Sequence, residues 1–165
     1  MENLNYQKRA VSCCFTGHRK VPDNMVKPLK KRISTAVTDC CAHGITRFFD
    51  GGAQGFDLLA AEAVLSLRAE YPQVQLVLVI PHQEQTRGWN LCSKERYEAV
   101  REKADEVVCL AEHYYRGCMQ QRNRYMVNHS SLCVCYLTES RGGTAATVAY
   151  AQRQGLFVLN LALGA

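Results

Sequence analysis

The sequence predicts an α/β fold in which a mostly parallel sheet is covered by helices on both faces. Three observations predict it. Short apolar runs alternate with longer amphipathic ones from end to end, and strands joined by right-handed helical crossovers pair in parallel. Two of the apolar runs lead straight into glycine-rich turns that open helices. The chain has 165 residues, of which 47% are hydrophobic, enough for one domain over 1–165 with a sizeable core.

The first strand is expected over 10–15. It ends in Thr16-Gly17-His18-Arg19, at the carboxyl end of the sheet where ligands bind in open α/β folds. His18 and Arg19 are candidates to meet an anion or line its pocket, with an ordinary solvated loop as the alternative. The first helix, expected over 26–43, carries Lys27, Lys30, Lys31 and Arg32. A solvated helix face explains that cluster as well as a polyanion does.

The second strand, over 45–50, runs into Gly51-Gly52-Ala53-Gln54-Gly55-Phe56-Asp57. Glycine lets a backbone approach a ligand closely, and the first amides of a helix have no intrahelical partner. Such a turn can therefore present N–H groups to a phosphate; tight turning alone is the simpler reading. In the second helix, 56–70, Phe56, Leu59, Ala60, Ala63, Val64 and Leu67 follow helical spacing and define a buried stripe. Asp57 in its first turn would cap the helix or orient an arginine.

The third strand, 74–80, empties into a polar stretch from Pro81 to Asn90 that holds the lone tryptophan. Trp89 either covers a flat base or anchors the loop onto the domain. A helix follows over 93–104 and a fourth strand over 106–110; Tyr114-Tyr115-Arg116 beyond it carries the same two readings. In the fourth helix, 118–130, Met119, Arg122, Tyr125, Met126 and His129 share one stripe. Arg122 thus lies within a core-facing surface and needs a partner, either an internal carboxylate such as Asp57 or Glu62 or an anionic ligand group.

The fifth strand, 132–137, feeds the second glycine turn, Gly142-Gly143-Thr144. The fifth helix, 144–154, is rich in small residues that allow close approach to the sheet, and Gly155 stops it. The sixth strand is expected over 156–160. No GxGxxG follows the first strand, so the dinucleotide reading of Asp50 as a ribose-binding acid is weak; no GxxxxGK[ST] occurs either.

A formal charge of +5 suits anionic ligands but falls short of a dedicated nucleic-acid binder. Nine cysteines is an odd number, and Cys13, Cys14, Cys109, Cys133 and Cys135 sit in apolar runs. They read as reduced, buried thiols of a cytoplasmic protein. CxxC and Cys/His ligand spacings are missing, so neither a metal nor a resident cofactor is expected. Residues 1–10 are polar, without the apolar stretch of a signal peptide, and no run reaches membrane-spanning length.

Taken in order, these motifs resemble the YpsA-like and YoqJ-like branch of the SLOG superfamily, the Rossmann-like group that includes the DNA-processing protein DprA and the LOG phosphoribohydrolases. The resemblance rests on Thr16-Gly17-His18-Arg19, Gly51 to Asp57 with Ala60-Ala61-Glu62, Ile80-Pro81, Gln85, Trp89, Arg96-Tyr97, Cys118-Met119, Arg122 to Val127 and Gly142-Gly143-Thr144. It implies a three-layer α/β/α Rossmann-like domain, a bacterial or phage origin, and a nucleotide or nucleotide-derived ligand at the glycine turns. LOG-type relatives imply a homodimer. LOG enzymes carry a glutamate three residues after the threonine of their glycine motif, where this chain has Thr147. A hydroxyl replaces neither a general base nor a negative charge beside an oxocarbenium-like centre.

The leading expectation is therefore a binding module with a sensory or regulatory role. Amides around Gly51, Gly52, Gly55, Gly142 and Gly143 would hold phosphate and Thr144 would add its hydroxyl, while Arg19 and Arg122 neutralise charge. Thr16, Gly17 and His18 complete the wall, with Asp57 and Trp89 beside it. The rivals are a nucleotide N-glycosidic-bond hydrolase and a DprA-like binder of single-stranded DNA, the latter with strongly salt-dependent affinity.

Overall fold

Twelve elements alternate along the chain: α1 (Glu2–Ala10), β1 (Ser12–Gly17), α2 (Asp23–Ala42), β2 (Arg47–Asp50), α3 (Phe56–Leu67), β3 (Gln75–Ile80), α4 (Leu91–Lys103), β4 (Glu106–Cys109), α5 (Cys118–Asn128), β5 (Leu132–Tyr136), α6 (Gly143–Arg153) and β6 (Phe157–Asn160). The computed structural model describes residues 2–163. Positions 1, 164 and 165, at the two ends of the expected 1–165 domain, lie outside them. The strands form one sheet in the order β4-β3-β2-β1-β5-β6, and every neighbouring pair is parallel.

Alternation along each strand divides the core. Cys13, Phe15, Phe48, Leu76, Leu78, Ile80 and Val134 point to the face covered by α2, α3 and α4, where they meet Leu29, Ile33, Phe56, Val64 and Tyr97. Cys14, Phe49, Val77, Val79, Cys133 and Cys135 point to the face covered by α5 and α6, against Met126, Val127, Val148 and Ala151. Phe15 stacks on Phe48 with ring centroids 5.8 Å apart and meets Phe56 edge-on at 6.2 Å.

The expected α/β/α layering is observed, with differences in detail. Helix α1 was not expected, because its large apolar side chains face outward: Leu4 is 62% and Tyr6 73% exposed. Contacts distant in sequence hold it instead, as Arg9 Nε donates to the Ser130 carbonyl at 2.9 Å and Arg9 Nη2 to the Gln154 carbonyl at 3.3 Å. Helix α4 begins two residues early, behind an Asn90 cap whose Oδ1 accepts the Ser93 N–H at 2.8 Å. Cys109 is exposed rather than buried, because β4 is an edge strand with one flank unpaired. All nine cysteines are free thiols. Among the described residues no helix is long and apolar enough to cross a membrane, and no group of three or more His, Cys, Asp or Glu side chains is arranged to hold a metal ion.

The chain winds outward from β1 to β4, then crosses back to place β5 on the other side of β1. The ends of β1 and β5 therefore form the switch point of the sheet, with Gly17 in register with Tyr136. Connections diverge to opposite faces there, which leaves a crevice.

Candidate functional site

That crevice is a cleft of about 430 Å³. From the β1 end come Thr16, Gly17, His18, Arg19 and Lys20; from the start of α3, Ala53 and Asp57; from α5, Met119, Gln120, Arg122 and Asn123; and from the β5–α6 turn, Glu139, Arg141, Gly142, Gly143 and Thr144. Nine of the residues expected from sequence thus meet in one place. His18 clasps both turns to the β1 end. Its carbonyl accepts the Phe56 N–H at 3.1 Å, and its Nε2 accepts the Thr138 N–H at 2.9 Å.

The two glycine turns differ in what their glycines do. At Gly142 and Gly143 an added Cβ would meet nothing within 4 Å. Gly142 is the α6 N-cap in a positive-φ conformation and gives no side-chain cap, so the first amides of the helix open onto the cleft. The Gly51–Gly55 turn is packed inward, with its Cα positions against protein atoms. A Cβ at Gly51 would lie 2.7 Å from Arg122 Nη1 and 2.8 Å from Asp57 Oδ2. Gly55 has φ +77°, and a Cβ there would lie 2.3 Å from the Arg19 carbonyl oxygen. Two amides of this turn are engaged within the protein: the Gly52 N–H donates to Asp50 Oδ1 at 2.7 Å and the Ala53 N–H to Asp57 Oδ2 at 3.4 Å. Gly51, Gly52 and Gly55 shape the cleft from behind and do not line it. Trp89 stands outside it as well, packed edge-on against Tyr97 at 5.7 Å, which is the anchoring alternative of the two sequence readings.

Arg122 is only 3% exposed. Its Nη1 donates to the Gly51 carbonyl at 2.7 Å and to Gln85 Oε1 at 3.0 Å, and its Nε to Asn123 Oδ1 at 2.8 Å. Gln85 Nε2 in turn donates to the carbonyls of Gly51 and Gly52 at 3.2 and 3.3 Å. Among the described residues Arg122 forms no direct ion pair, and Glu62 pairs with Arg96 instead. Asp50 and Asp57 act on the guanidinium through space. Burial lowers the Arg122 pKa and the two carboxylates raise it in opposition. Burial also drives both acids upward: Asp57 to about 6 against the pull of Arg122, and Asp50 well above the carboxylate range, with the Asp57 charge adding to the rise. One oxygen of each acid, Asp50 Oδ2 and Asp57 Oδ1, is buried without a hydrogen-bond partner.

Thr147 is spoken for within the protein. Its hydroxyl donates to the Gly143 carbonyl at 2.8 Å and accepts from Asn123 Nδ2 at 3.0 Å. Sequence reasoning missed Lys20, Arg141 and Asn123 in the cleft wall. The first two adjoin motif residues, and Asn123 follows Arg122 on the helix, so proximity to the motifs was the available signal.

A six-stranded parallel sheet with a cationic cleft at its switch point defines a Rossmann-like α/β domain. The model of the YspA SLOG family, YpsA, matches residues 13–155, and the chain belongs to that family. Among relatives, it is 29% identical over 138 residues to the UPF0398 protein YpsA of Bacillus subtilis, covering 82% of this chain and 77% of that one. It is also 29% identical over 119 residues to the uncharacterized SPbeta prophage-derived protein YoqJ of Bacillus subtilis, covering 65% and 70%. Its fold is similar to DNA processing protein A of Helicobacter pylori, with TM-score 0.63 and 17% identity over 94% of this chain and 67% of that one. The corresponding protein of Streptococcus pneumoniae gives TM-score 0.65 and 18% identity over 90% and 49%. The Helicobacter pylori structure is described by its single-stranded DNA binding mode.

Proposed function

We propose that the β1/β5 cleft binds a nucleotide or nucleotide-derived small molecule and that the domain serves as a sensory or regulatory binding module. The observation that carries this reading is the open, uncapped start of α6 in a cleft also lined by Arg19, Lys20 and Arg141. Unpaired helix-terminal amides and guanidinium groups are matched to phosphate oxygens. Binding without cleavage is favoured by Thr147, whose hydroxyl is engaged internally at the position of the LOG-type glutamate. The test is a thermal-shift screen of ligand-free protein against nucleoside mono-, di- and triphosphates and cyclic nucleotides. A ligand present at a hundred times its Kd adds about 2.7 kcal/mol; no shift with any member would reject the reading.

A second reading, single-stranded nucleic acid, is favoured by one observation. Gln120 and Asn123 also line an adjoining groove between α5 and α6, where Arg124 and Arg153 flank the Tyr150 ring at 4.8 and 5.9 Å. Cations around an aromatic face suit a stacked strand. Oligonucleotide affinity that falls steeply with salt would support it.

A further inference from the structure

We infer that a second anion site lies beneath α1, at the opposite end of the strands from the cleft, and that it takes a small organic anion: a carboxylate or phosphate carried on a flat, unsaturated ring. It shares no residue with the β1/β5 cleft, so it is independent of the function proposed there.

A cavity of about 350 Å³ opens between α1, the amino ends of β1 and β2, and the carboxyl end of α5. Four basic side chains line it, Lys8, Arg9, Arg47 and His129, and no acid does. A concave wall bearing charge of one sign focuses its field and draws an oppositely charged ligand. Little within the protein compensates these cations. Arg9 is held in place by donating Nε to the Ser130 carbonyl at 2.9 Å and Nη2 to the Gln154 carbonyl at 3.3 Å. Among the described residues neither Arg9 nor the exposed Lys8 has an ion pair. Arg47 keeps 22% of its side chain exposed and has one, but its Nη2 stands 3.6 Å from Glu106 Oε2, beyond hydrogen-bond length. One oxyanion would answer all three, since guanidinium and ammonium groups match carboxylate and phosphate oxygens. Asn128 adds a donor, because its Oδ1 is taken by the Tyr150 hydroxyl at 2.6 Å and its amide N–H groups remain. The rest of the wall is flat. Phe49 lies 5.5 Å from the Arg47 guanidinium and 6.1 Å from the His129 ring, and Tyr6 lines the cavity from α1 while 73% exposed. A ring seated there would cover Tyr6 and stack among aromatic faces.

Heteronuclear NMR titration of the whole chain would use phenyl phosphate, benzoate, inorganic phosphate and the benzamidinium cation. Amides of Phe49, Asn128 and His129 report this site and those of Gly142 to Thr144 the cleft, so each is read separately. The expected result is saturable shifts at Phe49, Asn128 and His129 with phenyl phosphate or benzoate, about tenfold or more tighter than with inorganic phosphate, and none with benzamidinium; the stronger of the two aromatic anions identifies the headgroup. Arg47→Gln should weaken that binding about tenfold or more. Lys8→Gln, at an exposed helix position that the fold does not depend on, should weaken it about threefold. Shifts confined to the cleft would overturn the inference, as would inorganic phosphate or benzamidinium bound as tightly as the aromatic anions. Undiminished affinity in folded Lys8→Gln and Arg47→Gln proteins would overturn it too.

Discussion

His18 Nε2 accepts the backbone N–H of Thr138 at 2.9 Å, joining residues 120 apart in sequence across the mouth of the cleft. The bond sits on exposed backbone, so it sets the position of the β5–α6 turn more than the stability of the core. His18→Ala should cost about 1 kcal/mol or less of global stability. Hydrogen exchange should show the Thr138 amide losing protection several-fold, and a protected amide in the variant would remove the clasp.

Arg122→Met should show what holds the interior beneath the first glycine turn. The substitution retains much of the side-chain volume but leaves two buried acids without their cation. Denaturant unfolding at pH 8 should show a loss of about 3–5 kcal/mol. At pH 5 the loss should shrink, because protonated carboxyls have less need of a cation. An equal loss at both pH values would assign the residue's contribution to packing and hydrogen bonds alone.

Burial makes the pH dependence of the unaltered protein unusual for a carboxylate. The Asp57 pKa rises from 3.8 in the free side chain to about 6 when folded, so the folded state binds this proton more tightly than the unfolded chain. The associated stability is full below about pH 4 and is lost as pH rises through about 6. For Asp57 it amounts to about 3 kcal/mol, and Asp50, whose pKa is raised as well, adds to the same decline because the two acids titrate together. Asp57→Asn should flatten this decline in ligand-free protein. A decline of unchanged size, measured by chemical denaturation from pH 4 to 8, would place its source elsewhere.

The two glycine turns should respond oppositely to substitution. Gly55→Ala forces a Cβ toward the Arg19 carbonyl from a positive-φ backbone, and should cost about 2 kcal/mol or more. Gly143→Ala meets open space at a helix start and should leave stability within about 0.5 kcal/mol. Gly143→Asp should fold equally well and weaken phosphate binding, since it sets a negative charge beside the proposed anion. Unchanged phosphate affinity in folded Gly143→Asp protein would exclude this turn from the site.

The same contrast shows how far the sequence could be read. Six strands and five helices were legible because Phe56, Leu59 and Val64, or Cys13 and Phe15, repeat with the period of their element. Helix α1 was not, because Leu4 and Tyr6 face outward and its anchors are carbonyls of Ser130 and Gln154 far along the chain. In the site, a charge at Arg122 within an apolar stripe announced a buried guanidinium. Its partners, Gly51 and Gln85, are 71 and 37 residues away and leave no local trace. Adjacent glycines look alike in sequence whether space is denied them, as at Gly51, or open, as at Gly143. Only packing distinguishes the two.

The central strand β1 pairs with β2 on one side and with β5, encoded more than a hundred residues later, on the other. During synthesis at about 5–20 residues per second, β1 waits on the order of ten seconds for that second neighbour. Until β5 emerges, the cleft lacks the wall that carries Arg141 and the start of α6. Chains that end before β5 therefore lack half of the anion site proposed above, whatever they have already folded.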